Sequence, residues 1–135
     1  MIHRLNIRVY YEDTDVAGVV YHANYLKFFE RGRTETLRSI GIDQLKLKEQ
    51  HGLVYVVTRI EVDFRAPARF DDMVAVETEV KERTPVRIEI LQRLTRKGQT
   101  LAEAKVWIAS INEAGQPQRM PDQMSAALDR LVPAR

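Results

Sequence analysis

From residue 53 to residue 111 the chain reads as a succession of strands joined by short turns, and this most limits what it can fold into. In residues 53–65, Val54, Val56, Thr58, Ile60, Val62 and Phe64 alternate with Arg59, Glu61, Asp63 and Arg65. Residues 73–82 alternate again through Val74, Val76, Thr78 and Val80. Val86, Ile88 and Ile90 open a further strand, and residues 100–111, with Trp107, form the last. A period of two places one face of each strand in a core and the other outside. Pro67 with Asp71–Asp72, Thr84–Pro85 and Lys97–Gly98 supply the breaks, and Lys97–Gly98 reads as a hairpin turn. Connections this short allow only antiparallel pairing, since a parallel return needs a dozen or more residues.

Before these strands lies one segment of helical period. Leu5, Ile7, Val9 and Tyr11 alternate with polar neighbours, so residues 4–12 read as a first strand, and residues 13–22, with Gly18, as a turn. The spacing then predicts a helix starting at an Asn24 cap, with Leu26, Phe29, Leu37 and Ile40 on one side and a stop at Gly41. Gly32 interrupts it. Glycine costs about 1 kcal/mol against alanine there, so close approach to a sheet is the expected reason for it. Asp43 should cap a short turn over 43–50, and Pro121 should start a short amphipathic segment with Met124, Leu128 and Leu131. One long helix with an antiparallel sheet defines an α+β class. The helix can cover only one sheet face, and the outer face of the late strands reads as partly apolar, so self-association is expected.

A length of 135 residues and 44% apolar composition suit a single domain spanning residues 1–135 with a real but small core. With no cysteine there is no thiol nucleophile, disulfide or zinc–thiolate site. No apolar run approaches the roughly 20 residues that span a bilayer. The N-terminus enters a strand pattern directly and shows no signal peptide, so a cytoplasmic protein is expected. The 21 basic and 19 acidic residues, net +2, are scattered, which argues against a nucleic-acid partner.

Chemistry concentrates in residues 10–35, YYEDTDVAGVVYHANYLKFFERGRTE. Asp13 and Asp15 follow the first strand, and for either one an ordinary turn role is open, because Asp side chains bond nearby amides. The pair and Gly18 match the opening of a calcium loop, but Ala17 and Asn24 stand where acidic ligands are required, so no metal is expected. Amides at a helix start lack intrahelical acceptors and carry partial positive charge. They can polarise a carbonyl. His22 is either a side chain near the cap or a general base. Glu30 and Glu35 sit among Arg31, Arg33 and Arg38 as either solvated helix charges or, for Glu30, a reserve carboxylate facing a groove. Tyr21, Tyr25, Phe28 and Phe29 read as core or groove lining. No GxSxG elbow, P-loop or GxGxxG occurs, which leaves a carboxylate and backbone dipoles for any chemistry.

The residues Tyr11-Glu12-Asp13-Thr14-Asp15, Gly18-Val19-Val20-Tyr21-His22, Asn24-Tyr25 and Phe29-Glu30-Arg31 resemble the hotdog-fold acyl-coenzyme A thioesterases. Within these they are similar to the hydroxybenzoyl-coenzyme A type and its Tol–Pal-associated bacterial relatives. The resemblance implies a central helix wrapped by a five-stranded antiparallel sheet, two chains paired edge to edge, active sites at their interface, and a homodimer or a dimer of dimers. It implies Asp15 as the catalytic carboxylate and the His22 backbone N–H as the donor to the thioester carbonyl. Gly18, Val19, Tyr21, Asn24, Tyr25 and Glu30 would contact substrate, with no cofactor. His22–Ala23 replaces the aromatic–proline pair of the hydroxybenzoyl type, which favours fatty acyl groups. Arg83, Arg87, Arg96 and Lys97 are candidates for the coenzyme phosphates. Asp15 could attack the acyl carbon or activate water. A hydratase or dehydratase on the same fold and a non-catalytic acyl-CoA-binding module stay open as alternatives.

Overall fold

The computed structural model describes residues 1–133. In chain order they form β1 (Ile2–Arg8), α1 (Asn24–Ser39), α2 (Gln44–His51), β2 (Val54–Phe64), β3 (Met73–Arg83), β4 (Arg87–Arg96), β5 (Gln99–Ile111) and α3 (Asp122–Asp129). The five strands make one antiparallel sheet in the order β1-β3-β4-β5-β2. Lys97 and Gly98 both take positive φ, 50° and 80°, the geometry of a two-residue hairpin whose twist matches its strands.

The helix α1 lies across β1 and β3. Tyr25, Phe28, Phe29, Gly32, Thr36 and Leu37 form its buried side. Leu26, expected in that stripe, is 40% exposed, because the stripe that meets the sheet runs through 25, 28, 29, 32 and 36. At Gly32 the helix presses onto the sheet: an added Cβ would stand 2.4 Å from Val76 Cγ1 and 3.1 Å from Gln92 Nε2. The fully buried Gln92 side chain donates there to the Phe29 carbonyl (2.9 Å) and Thr78 Oγ1 (3.0 Å), and accepts from Arg33 (3.1 Å). Asp43 caps α2 through the amides of Leu45 and Lys46 as expected, and Gly52 ends it in the left-handed region.

Two other expectations change. The first strand ends at Arg8 rather than 12, because Val9 turns into the core and Tyr11–Asp13 form a single 3₁₀ turn. The alternation of β2 slips at a bulge between Val57 and Arg59. Val57 opposes buried Ile108 and Ile60 opposes buried Val106, so Val56 and Thr58 lie exposed instead of sharing the face of Ile60. The outer sheet face carries a row of charge, Arg4, Glu77, Arg93 and Glu103, aligned across four strands. Arg4 meets Glu77 at 2.6 Å and Arg93 meets Glu103 at 3.2 Å. The same face also carries exposed Ile2, Val56 and Met73 and half-buried Trp107, while Val57 and Phe64 of β2 and the loops that carry Asp15 and Phe70 expose further apolar side chains.

Candidate active site

Residues 13–21 fold back on themselves as a small hairpin. Thr14 bridges Val20, the Asp15 amide donates to the Val19 carbonyl (2.9 Å), and Gly18 takes φ 78° at the tip, where an L side chain is strained. Val20 is tied to the Ala68 carbonyl (2.8 Å) and Val19 bridges Arg69, so the hairpin rests on the loop between β2 and β3.

The two aspartates take different roles. Asp13 is buried, 6% exposed, and accepts from the Tyr10 amide (2.8 Å) and the Asn24 carboxamide (2.9 Å). Asp15 is exposed and, among the described residues, accepts only the Ala17 amide at one oxygen, Oδ1 (2.9 Å). Its other oxygen is available to a ligand. Asp15 and Gly18 line an open groove of about 820 Å³ with Tyr11, Thr14, Val16 and Phe70. Tyr11 and Phe70 meet edge to face at 6.1 Å. The walls are therefore aromatic and aliphatic beside one carboxylate.

The helix start supplies the second element. The expected Asn24 cap is replaced by Ala23, with Asn24 as the first helical residue and its side chain turned back to Asp13. The amides of Asn24, Tyr25 and Leu26 are taken by the carbonyls of Tyr21, His22 and Ala23 (2.8, 3.3 and 3.2 Å), and that of Tyr21 by the Asp13 carbonyl (2.9 Å). Among the described residues, only the intervening amides of His22 and Ala23 find no acceptor in this turn. They sit at the positive end of α1. The hairpin register sets Asp15 against Val19, three residues before His22.

The other expected contacts divide. The Tyr25 ring is buried against Phe64 (5.1 Å), and its hydroxyl accepts the Ala68 amide (3.0 Å), so it braces the loop under the hairpin. Tyr21 is exposed and packs at a tilt against the His22 imidazole (4.6 Å, 54°). Within one protomer, Val19, Tyr21, His22, Asn24 and Tyr25 do not line the Asp15 groove. Glu30 faces a separate cavity of about 170 Å³ between α1 and β2, with Arg33, Tyr55 and Val57, and accepts from Thr34 Oγ1 (3.0 Å). Burial there holds the Arg33 guanidinium below its ordinary pKa, against the opposing pull of Glu30. It pushes Tyr55 up to about 12.

The four coenzyme-phosphate candidates separate as well. Arg83 is held by both carboxylate oxygens of Asp129 (2.5 and 2.7 Å) and Arg96 by Asp72 (2.6 Å). Arg83 and Arg87 lie at one end of β4, Arg96 and Lys97 at the other. The latter pair shares an end with the Asp15 hairpin, because Arg96 also donates to the Pro67 carbonyl (3.2 Å). Sequence reasoning missed Val16 and Phe70 as groove walls. An aromatic inside the polar turn Arg69-Phe70-Asp71-Asp72 was the available signal.

A model of the thioesterase-like superfamily matches residues 9–128. The chain belongs to this superfamily. The α+β architecture is the hotdog fold of its members. An acyl-CoA thioesterase YbgC of Haemophilus influenzae is 44% identical over 126 residues, covering 93% of each chain. An acyl-CoA thioester hydrolase YbgC of Escherichia coli is 38% identical over 127 residues, covering 93% of this chain and 94% of that one. The crystal structure of a probable thioesterase from Bartonella henselae has a TM-score of 0.85 at 40% identity, over 90% of this chain and 100% of that chain. A 1,4-dihydroxy-2-naphthoyl-CoA thioesterase from Synechocystis, at 22% identity and TM-score 0.89, shares the fold.

Proposed function

We propose that Asp15 and the main-chain amides of His22 and Ala23 carry the reaction of this acyl-CoA thioesterase, which cleaves an acyl thioester to free acid and coenzyme A. The observation that carries the reading is the pairing of one carboxylate oxygen without a partner with two acceptor-free amides at a helix start. The thioester oxygen takes the amides, which withdraw electrons from the acyl carbon and hold the oxyanion as it forms. The free Asp15 oxygen either bonds that carbon, giving a mixed anhydride that water then cleaves, or takes a proton from the attacking water. In both routes the carbon–sulfur bond breaks and coenzyme A leaves as thiolate. Tyr11, Val16 and Phe70 accommodate the apolar acyl group, and the Arg96–Lys97 end of the sheet is nearer for the coenzyme phosphates than Arg83 and Arg87.

The working unit in this proposal is a homodimer joined at β2, acting in the cytoplasm as a single-domain chain. Among the described residues β2 pairs only with β5, leaving one edge of eleven residues open. Val57 (46%) and Phe64 (52%) point toward the helix side of the sheet and are exposed. A second copy would cover both and bring its own α1–β2 cavity, with Glu30, toward the first copy's helix start. Among the described residues no helix is long and apolar enough to cross a membrane. The test is a panel of acyl-CoAs with a thiol reagent. Catalytic thiol release supports the proposal, and saturable binding without release would replace it with a binding module.

A further inference from the structure

We infer that Asp13, acting through Asn24, is a positioning residue that sets the geometry between Asp15 and the helix-start amides. The inference rests on the reading of those groups as the reacting ones. Asp13 is the one charged side chain among the buried residues described, and burying a carboxylate is costly unless its hydrogen bonds are filled. Both oxygens are filled, by the Tyr10 amide and the Asn24 carboxamide, and the Asp13 carbonyl takes the Tyr21 amide (2.9 Å). Tyr21 and Asn24 are the residues on either side of His22 and Ala23, and the Asn24 amide closes the turn onto the Tyr21 carbonyl (2.8 Å). Asp13 therefore grips both flanks of the two acceptor-free amides. On its other side, Asp15 is two residues away along the same hairpin strand. One residue thus joins the two arms of the site, its main-chain carbonyl holding Tyr21 and its buried carboxylate holding Asn24.

The chemistry of the bond provides the test. In Asp13→Asn one oxygen becomes an NH2 group, which must face a donor at either Tyr10 or Asn24, so one tether breaks. Asn24→Ala removes the helix tether alone. In the double variant Asp13→Asn with Asn24→Asp, the new carboxamide oxygen accepts the Tyr10 amide and its NH2 donates to the new carboxylate, restoring both bonds. With the full chain and an acyl-CoA that the unaltered protein turns over, each single variant should lose about 10- to 100-fold in kcat with KM within about threefold, the scale of a misplaced reacting group. The double variant should regain at least about tenfold over the single ones. If Asp13→Asn does not fold, Asn24→Ala and the double variant carry the comparison. A folded Asn24→Ala with kcat within about threefold of the unaltered protein, or a double variant no faster than Asn24→Ala, overturns the inference. Unimpaired hydrolysis by Asp15→Asn would instead remove the reading beneath it, so the two failures are separable.

Discussion

Replacing Gly32 with alanine sets helix propensity directly against packing. In an isolated helix the change stabilises by about 1 kcal/mol. Here the new methyl would lie 2.4 Å from Val76 Cγ1 and 3.1 Å from both Val76 Cβ and Gln92 Nε2. Carbon atoms in contact prefer about 3.5–4.0 Å. Rotating Val76 removes the first clash but not the second, which involves its Cβ. Relief therefore means lifting α1 from β3 by roughly 1 Å, which also draws the Phe29 carbonyl off Gln92. Overpacking costs about 1–3 kcal/mol, and an unsatisfied buried amide about 1–3 more. Against the propensity gain, the two costs together leave a net loss of about 1–5 kcal/mol. A chain of this size unfolds with an entropy near 0.28 kcal/mol/K, so Tm should fall by roughly 4–18 °C. Thermal and urea melts followed by circular dichroism measure this. Val76→Ala in the same background should recover part of the loss, giving a favourable coupling. A Gly32→Ala protein as stable as the parent would refute the close approach of helix and sheet.

Val57→Asp places a charge on the open inner face of β2, and sedimentation should show the dimer weakened at least about tenfold, since an unpaired buried charge costs several kcal/mol. His22→Ala keeps the main-chain N–H, so thiol release should stay within about tenfold of the parent; a general-acid/base imidazole would cost about 10²–10⁴-fold and point to the hydratase reading. Burial alone would raise the Asp72 pKa, but the Arg69 amide, the Arg96 hydrogen bond and both guanidinium charges outweigh it, and the group sits below its ordinary value. Its contribution is therefore complete above the unfolded carboxylate pKa of about 3.9 and lost as pH falls through the lower folded value. Asp72→Asn should be less stable than the parent at neutral pH, with the gap closing below about pH 4 in acid melts.

The fold was legible where periodicity and punctuation agree. Alternation gave four strands after the helix, Lys97–Gly98 gave its hairpin, and Asp43 gave its cap. The β2 bulge was not legible, because a bulge changes which face a residue takes without changing the composition of the strand. Leu26 was misassigned because the sheet contact depends on the direction from which α1 meets β3, and Gly32 marks that line better than any leucine. In the site, the separation of Asp13 from Asp15 needed coordinates: two aspartates one residue apart look alike in sequence, and only the fold buries one and exposes the other. The role of Tyr25 was hidden for a similar reason, since its hydroxyl partner at Ala68 is 43 residues away.

The most direct measurement is kcat for thiol release from an acyl-CoA by Asp15→Asn, made on protein whose melt matches the parent. The account predicts a loss of at least about 100-fold, the scale of a removed acid, base or nucleophile. Turnover within about threefold of the parent would contradict it.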